Sequence, residues 1–406
     1  MIKEKRILTI ALLFYIAIIS LPTLDYYCNW YITLIPLLLV VVYSLNKSHF
    51  STIVIISIAI ICVSTLMFWL VYRGYNPIYL NLNNFISMCS IIFSYRVVNM
   101  YNQNEKKRLL QTISALFSIT SLTTYMGLIA FPSAARFLAT GSLYIDTTVY
   151  SKMNIGGFGF IYALVCYVPV QIWLIKNSSK KVKVINFFQM ILYFVVVIKS
   201  QYATALLLFV FFLVLSIFGH NKRTIITLLV FGVIFVTTLK VFLIDFFNFI
   251  RNTIASEYVA DRILQLIQFL SSENINTSTT TRRMDLYKNS IKSILESPIW
   301  GHNVFSFNVD KIGGHSNLLD LVSGGGILAL ILLVIFMLIL LHKSKITEGT
   351  YSVSFVLLVL AVCVVAATNS ISSSPLIFIV FFIAGNCINK LDQEVLIIER
   401  VKFRIK

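Results

Sequence analysis

Apolar runs of membrane-crossing length follow one another along nearly the whole of this chain, and they decide what it can fold into. A bilayer's hydrocarbon core takes roughly 20 apolar residues of helix. Runs bounded by polar residues or by Pro and Gly lie at 7–22, 30–45, 50–72, 78–98, 109–131, 153–175, 184–198, 201–218, 223–244, 317–341, 351–368 and 374–389. Asn81, Asn83 and Asn84 dilute the fourth run, and only Lys199 and Ser200 part the seventh from the eighth. Charged residues make up 12% of the 406 and hydrophobic ones 58%, whereas a water-soluble domain carries roughly 25% charged residues. The chain needs lipid as part of its solvent. It reads as an all-α polytopic membrane protein of about 12 transmembrane helices.

A net charge of +17 could point to nucleic acid, but its distribution does not. Basic residues sit in short clusters between the apolar runs, such as Lys3, Lys5 and Arg6, or Lys106, Lys107 and Arg108, or Lys180, Lys181 and Lys183. That pattern orients membrane spans, and no nucleic-acid partner is expected. With twelve spans both termini share one side. Alternate loops then divide the chain's +17 into +15 on the side of the termini and +2 on the other. Positive loops stay inside, so both termini are expected in the cytoplasm. Ile7–Leu21 runs into Pro22 and aromatic residues rather than a small-residue cleavage site, and reads as a signal anchor and first span. Tyr26, Tyr27, Trp30 and Tyr31 flank the first outer loop as an interfacial belt would.

Six cysteines are scattered, and Cys62, Cys89, Cys166, Cys363 and Cys387 fall inside apolar runs. Neither CxxC spacing nor a His/Cys cluster occurs, so they read as small packing residues and no metal or other cofactor is expected. The chain divides into spans one to nine over 1–244, including an outer segment at 132–152; a large outer loop at 245–316; and the last three spans with a tail over 317–406. Long segments between spans are uncommon unless they do something.

Within the large loop, Val259, Ile263, Ile267 and Leu270 recur at helical spacing, with Asp261, Arg262, Gln265 and Gln268 on other faces. This is an amphipathic helix lying at the interface or over the spans. After the Thr/Ser-rich break Asn276–Thr281, a second helix is expected from about Arg282 to Leu295, with Tyr287, Ile291 and Ile294 on one face and Pro298 and Gly301 ending it. Gly313-Gly314-His315-Ser316-Asn317 follows, then a span broken by Gly324, Gly325 and Gly326. Of five histidines, only His302 and His315 fall outside the cytoplasmic loops, and imidazole suits proton transfer near neutral pH. Each feature also has a plainer reading. A histidine at a span entrance is often interfacial, Arg282 and Arg283 can simply meet lipid phosphate, and a glycine run can serve helix packing.

In sequence order, however, Thr281-Arg282-Arg283-Met284-Asp285-Leu286-Tyr287, then Glu296-Ser297-Pro298-Ile299-Trp300-Gly301, then Gly314-His315-Ser316-Asn317-Leu318-Leu319-Asp320 with Gly326 resembles the O-antigen polymerase and O-antigen ligase superfamily of bacterial envelope enzymes. The detailed likeness covers these segments, while the plan of many spans with one large periplasmic loop covers the whole chain. The resemblance implies a glycosyltransferase C-like membrane enzyme that joins polyprenyl-diphosphate-linked (undecaprenyl-diphosphate-linked) oligosaccharides at the periplasmic face of the inner membrane. It implies His315 at the acceptor hydroxyl, and Arg136 and Arg283 at the donor diphosphate. Arg282 stands where the family has glycine and can exchange roles with Arg283, Lys199 replaces a family arginine, and Ser316 replaces an asparagine. His302 and Asn317 are secondary candidates. Arginine suits a diphosphate through bidentate, permanently charged contacts. The outer segments hold no DxD pair for a divalent ion, which implies a metal-independent, inverting transfer. Membrane lipid and a chain-length regulator protein are the further partners implied. Two alternatives stand beside the polymerase: a ligase handing the glycan to lipid A-core, and a lipid-linked oligosaccharide flippase. A flippase should carry ionisable residues at mid-span, where this chain has almost none.

Overall fold

The computed structural model describes residues 2–45, 90–94, 96–140, 146–219, 221, 223–228, 230, 248, 251, 264, 267, 278–302, 316–343, 352–369 and 374–392. Among them every regular element is helical and no strand occurs. The helices are α1 (Ile2–Ser20), α2 (Pro22–Leu45), α3 (Gln103–Ala130), α4 (Ala134–Thr140), α5 (Thr148–Lys152), α6 (Phe158–Asn177), α7 (Lys180–Lys199), α8 (Ala203–Phe218), α9 (Ser278–Glu296), α10 (Asn317–Lys343) and α11 (Val353–Thr368). The last, α12 (Pro375–Asp392), contains a π-helical turn at Ile379–Ala384. Within the described residues, α3, α6, α7, α12 and Asn317–Ile335 of α10 are long and apolar enough to cross a membrane. The runs at 50–72, most of 78–98 and most of 223–244, and the helix expected at Glu257–Leu270, lie outside the described residues or nearly so.

The beginning of the chain departs from expectation. Tyr26 and Tyr27 belong to a helix rather than a loop, because α2 starts at Pro22, where a fixed φ and a missing N–H fit the first helical turn. Proline cannot continue α1, so the axis turns by 105° at Leu21. Asp25 in the first turn of α2 is favourably placed against that helix's N-terminal dipole.

α6 is the centre of the bundle. It is apolar on every face, and such a helix must be buried all round. Phe160 to Leu174 are all buried, against α3, α7, α8, α11 and α12. α7, by contrast, turns Ile185, Phe187, Phe188 and Ile191 outward, more than two-fifths exposed. Cys166 and Cys387 are buried free thiols in this core.

Two polar knots close the ends of the bundle. At one end, Arg96 Nη2 pairs with Glu4 Oε1 at 3.1 Å, both side chains only 11% exposed, and Lys5 Nζ meets Glu105 Oε2 at 2.6 Å. There too Lys390 Nζ donates to Asn99 Oδ1 at 2.6 Å and Trp173 Nε1 to Asp392 Oδ1 at 2.6 Å. At the other end, Asn154 adopts the left-handed conformation (φ 58) ahead of α6. Its Nδ2 donates to Thr123 Oγ1 (2.9 Å), its Oδ1 accepts from Thr23 N (3.2 Å) and its carbonyl accepts from Thr123 Oγ1 (2.8 Å). Thr120 Oγ1 donates to Ser20 O at 2.6 Å. One joint thus ties the α1–α2 corner, the end of α3 and the entrance to α6.

Candidate functional site

The C-terminal ends of α3 and α11 and the N-terminal ends of α6 and α12 meet at the Asn154 end of the bundle, and Arg136, Lys199 and Asn317, of the described candidates, lie at that end. α4 packs on α3 and α6 and carries Arg136, which is half-buried. Lys199 is exposed at the last turn of α7. The tight joint after it is made by Gln201, which takes a left-handed φ of 60° so that α8 can begin two residues later. Tyr202 then donates its hydroxyl to Ala135 O at 2.7 Å, bringing the Lys199 turn against α4 beside Arg136. Between α4 and α6, the Asp146 carboxylate accepts from Thr148 N (3.0 Å) and Thr148 Oγ1 (2.7 Å). The Thr148 hydroxyl, then its backbone N–H, holds Asp146 below the usual aspartate range.

The second half of the site is a seam between α9 and the first turns of α10. α9 begins at Ser278, so Arg282 and Arg283 lie in its first two turns; their side chains, and all of His315, lie outside the described residues. The face that α9 buries is centred on serines, to one side of the apolar face formed by Tyr287, Ile291 and Ile294. Ser290 and Ser293 are fully buried and Ile294 and Tyr287 half-buried, whereas Ile291 is 47% exposed. Small serines let the helices approach closely. Ser290 Oγ donates to Asp320 Oδ1 at 3.3 Å, and Tyr287 OH to Thr368 O at 2.9 Å at the end of α11. Asn317, half-buried, begins α10, and its N–H donates to Asn369 O at 3.3 Å. Ser316 is the N-cap: its Oγ accepts from Leu319 N at 3.2 Å. Where the resemblance had an asparagine replaced, serine therefore performs a cap's work.

α10 is two helices end to end. Gly326 breaks it with φ 69° and ψ −176°, a conformation open to glycine alone. The turn Pro298–His302 docks into the break. Ile327 N donates to Pro298 O (2.8 Å) and Leu328 N to Ile299 O (3.4 Å), while His302 N donates to Ser323 O (2.9 Å). Donors orphaned at the start of one half and an acceptor at the end of the other are thereby satisfied by a single segment. A Cβ at Gly326 would collide with Ile299 O and Trp300 N, and one at Gly301 (φ 69) with the Gly324 carbonyl. The two glycine signals in the sequence are thus the two halves of one fit. His302 Nε2 lies 3.4 Å from Glu296 Oε2 at the end of α9.

The structure therefore brings Asn317, His302, Asp320 and the Arg282–Arg283 helix into one seam, and Arg136 and Lys199 to a second cluster at the same end. Asp320 was not assigned a role from sequence, although it is the sole acidic or basic side chain between Asn317 and Leu341. An ionisable residue within an apolar span was its signal. Among the described residues no group of three or more His, Cys, Asp or Glu side chains converges as a metal site requires. Compared with known protein families and with curated proteins, the chain gives no match to either.

Proposed function

We propose that this chain is a bacterial inner-membrane O-antigen or capsular polysaccharide polymerase of about 12 spans, with both termini cytoplasmic and the Asn154 end periplasmic. The carrying observation is the α9–α10 seam. α9, which carries the first motif segment, bonds through Ser290 to Asp320 of the third, and the second segment docks as the Pro298–His302 turn at Gly326. The substrates are two undecaprenyl-diphosphate-linked oligosaccharides. The acceptor sugar hydroxyl attacks the anomeric carbon of the donor and the C1–O bond to the diphosphate breaks with inversion. His315 takes the hydroxyl proton, and Arg136 and Arg283, with Arg282 or Lys199 in support, neutralise the charge that collects on the leaving diphosphate. Fixed cations in a water-poor site are effective at that step.

Separate Arg136→Ala, Arg283→Ala and His315→Ala chains, at normal expression, are each expected to lose polymer formation by at least about 100-fold. Full polymer from all three would refute the site. A surface-glycan gel from a deletion strain separates polymerase from ligase, since loss of a polymerase leaves one repeat unit on the core and loss of a ligase leaves none. The transporter reading draws on a buried amide network: Ser114 Oγ lies 2.8 Å from both Gln171 Oε1 and Gln189 Oε1, and Gln171 Nε2 donates to Asn186 O at 2.8 Å. Its groups bond to one another, as helix-joining groups do. Glycan joining by detergent-solubilised chain, with no sealed membrane, distinguishes enzyme from flippase.

A further inference from the structure

α9 leaves one face uncovered, and the order of side chains around it points to what covers it. With about 100° of rotation per residue, Ser290, Ser293 and Ser297 centre the face turned to α10. Next around the helix come Ile291 and Leu295, 47% and 76% exposed. Beyond them stand Lys288 and Lys292, both exposed, and then Asp285, Asn289 and Glu296. Apolar, basic and acidic stripes therefore succeed one another across the exposed surface. A water-facing helix has no use for such an order, and a core-facing one would bury Leu295.

The apolar stripe does not end with the helix. It continues into Ile299 and Trp300, 56% and 49% exposed, on the turn that docks in the α10 break. The backbone bonds from Ile327 and Leu328 to that turn place it against the second half of α10, whose Ile327, Ile331 and Ile335 are about half exposed along a span. The surface is thus continuous with the exposed apolar face of a helix long and apolar enough to cross a membrane.

We infer that α9 and the Pro298–His302 turn form a membrane-surface element: Ile291, Leu295, Ile299 and Trp300 enter the acyl boundary, Lys288 and Lys292 sit among acidic lipid headgroups, and Asp285, Asn289 and Glu296 face water. An interfacial helix of this type inserts its apolar side by roughly 5–10 Å. Lysine stems reach along the apolar surface while their ammonium groups stay at the phosphate level. The inference rests on the exposed residues Ile291, Leu295, Ile299, Trp300, Lys288 and Lys292 and not on the chemistry proposed for the seam.

The test places nitroxide labels at Leu295→Cys and, separately, Asn289→Cys in the full chain. Each is reconstituted in phosphatidylcholine vesicles with or without phosphatidylglycerol, with native-thiol labelling measured on the unsubstituted chain and subtracted. Both positions are exposed, so neither substitution disturbs packing; an Ile291→Cys label gives an independent second reading. The label at 295 is expected to collide several-fold more with oxygen, relative to a water-soluble nickel chelate, than the label at 289. It is expected to lie deeper when phosphatidylglycerol is present, and Lys288→Gln with Lys292→Gln should abolish that lipid dependence. Equal chelate access at 295 and 289 would overturn the inference. So would dipolar broadening between labels at 295, which would show a second copy covering the stripe. A lipid dependence that survives the double lysine substitution would remove the headgroup assignment.

Discussion

Gly326 and Asp320 carry opposite lessons at the scale of single residues. Gly326 was singled out by the resemblance, but only the structure shows why it must be glycine and what lies over it. Gly326→Ala forces a side chain into a left-handed backbone and against Ile299 and Trp300. A loss of at least about 1–2 kcal/mol is expected, read as a lower thermal midpoint in detergent. Asp320 hid in plain view within an apolar run. Its hydrogen bond with Ser290 makes the pair testable by a double-mutant cycle on Ser290→Ala and Asp320→Asn. The coupling energy is expected to be about 1 kcal/mol. A coupling near zero would mean that the contact does not hold the seam. The side chains of Arg282 and Arg283 are legible as charges in sequence, but the seam's serine face was not, because serine carries no apolar periodicity.

Helix segments were legible wherever apolarity alone defines them. The runs at 109–131, 153–175, 184–198, 201–218, 351–368 and 374–389 correspond to α3, α6, α7, α8, α11 and α12. Their ends were harder, since caps and corners depend on neighbours distant in sequence. The α1–α2 corner is held by Asn154, some 130 residues away. Asn154→Ala loses both the side-chain bonds and the tolerance for positive φ, whereas Asn154→Gly loses only the first. The alanine variant is expected to be less stable than the glycine variant by about 1 kcal/mol, measured by thermal unfolding. The short α5 is set by Asp146. Because folding lowers this carboxyl's pKa, its contribution is present above the unfolded-state value of about 4 and fades as pH falls through the folded one. Hydrogen-exchange protection of Thr148–Lys152 should therefore fall in acid, and Asp146→Asn should show weak protection at every pH.

At the scale of the whole molecule, the charge pattern anticipated which residues would be neighbours. Glu4, Lys5, Arg96, Glu105, Lys390 and Asp392 were assigned to one side by counting loops, and the structure gathers them at one end. Lys152 and Lys199 lie toward the opposite end. An impermeant amine reagent added to intact cells is expected to modify Lys152 and Lys199 and to spare Lys180 and Lys181 until the membrane is opened. The reverse pattern would invert the orientation. Counting loops also put Arg136, Lys199 and the 245–316 segment on one side; what sequence could not show is how the pieces dock there, because the Pro298–His302 turn and the Asn154 joint are contacts between segments far apart in the chain.

The π-helical turn in α12 has a consequence for how this chain can vary. It holds one residue more than a regular helix would, and within it the Phe382 carbonyl accepts from Ser94 Oγ at 2.7 Å. A π turn takes up about one extra residue within a single widened turn, so the helix beyond it keeps nearly the phase it would have without that residue. Deleting a single residue within Ile379–Ala384 is therefore expected to restore an ordinary helix and to leave Asn386, Lys390 and Asp392 facing Ser94, Asn99 and Trp173. The same deletion in the regular helix after Ala384 would turn everything beyond it by about 100°. The π turn therefore acts as a phase buffer, a point where this helix tolerates a change of length that the rest of it does not.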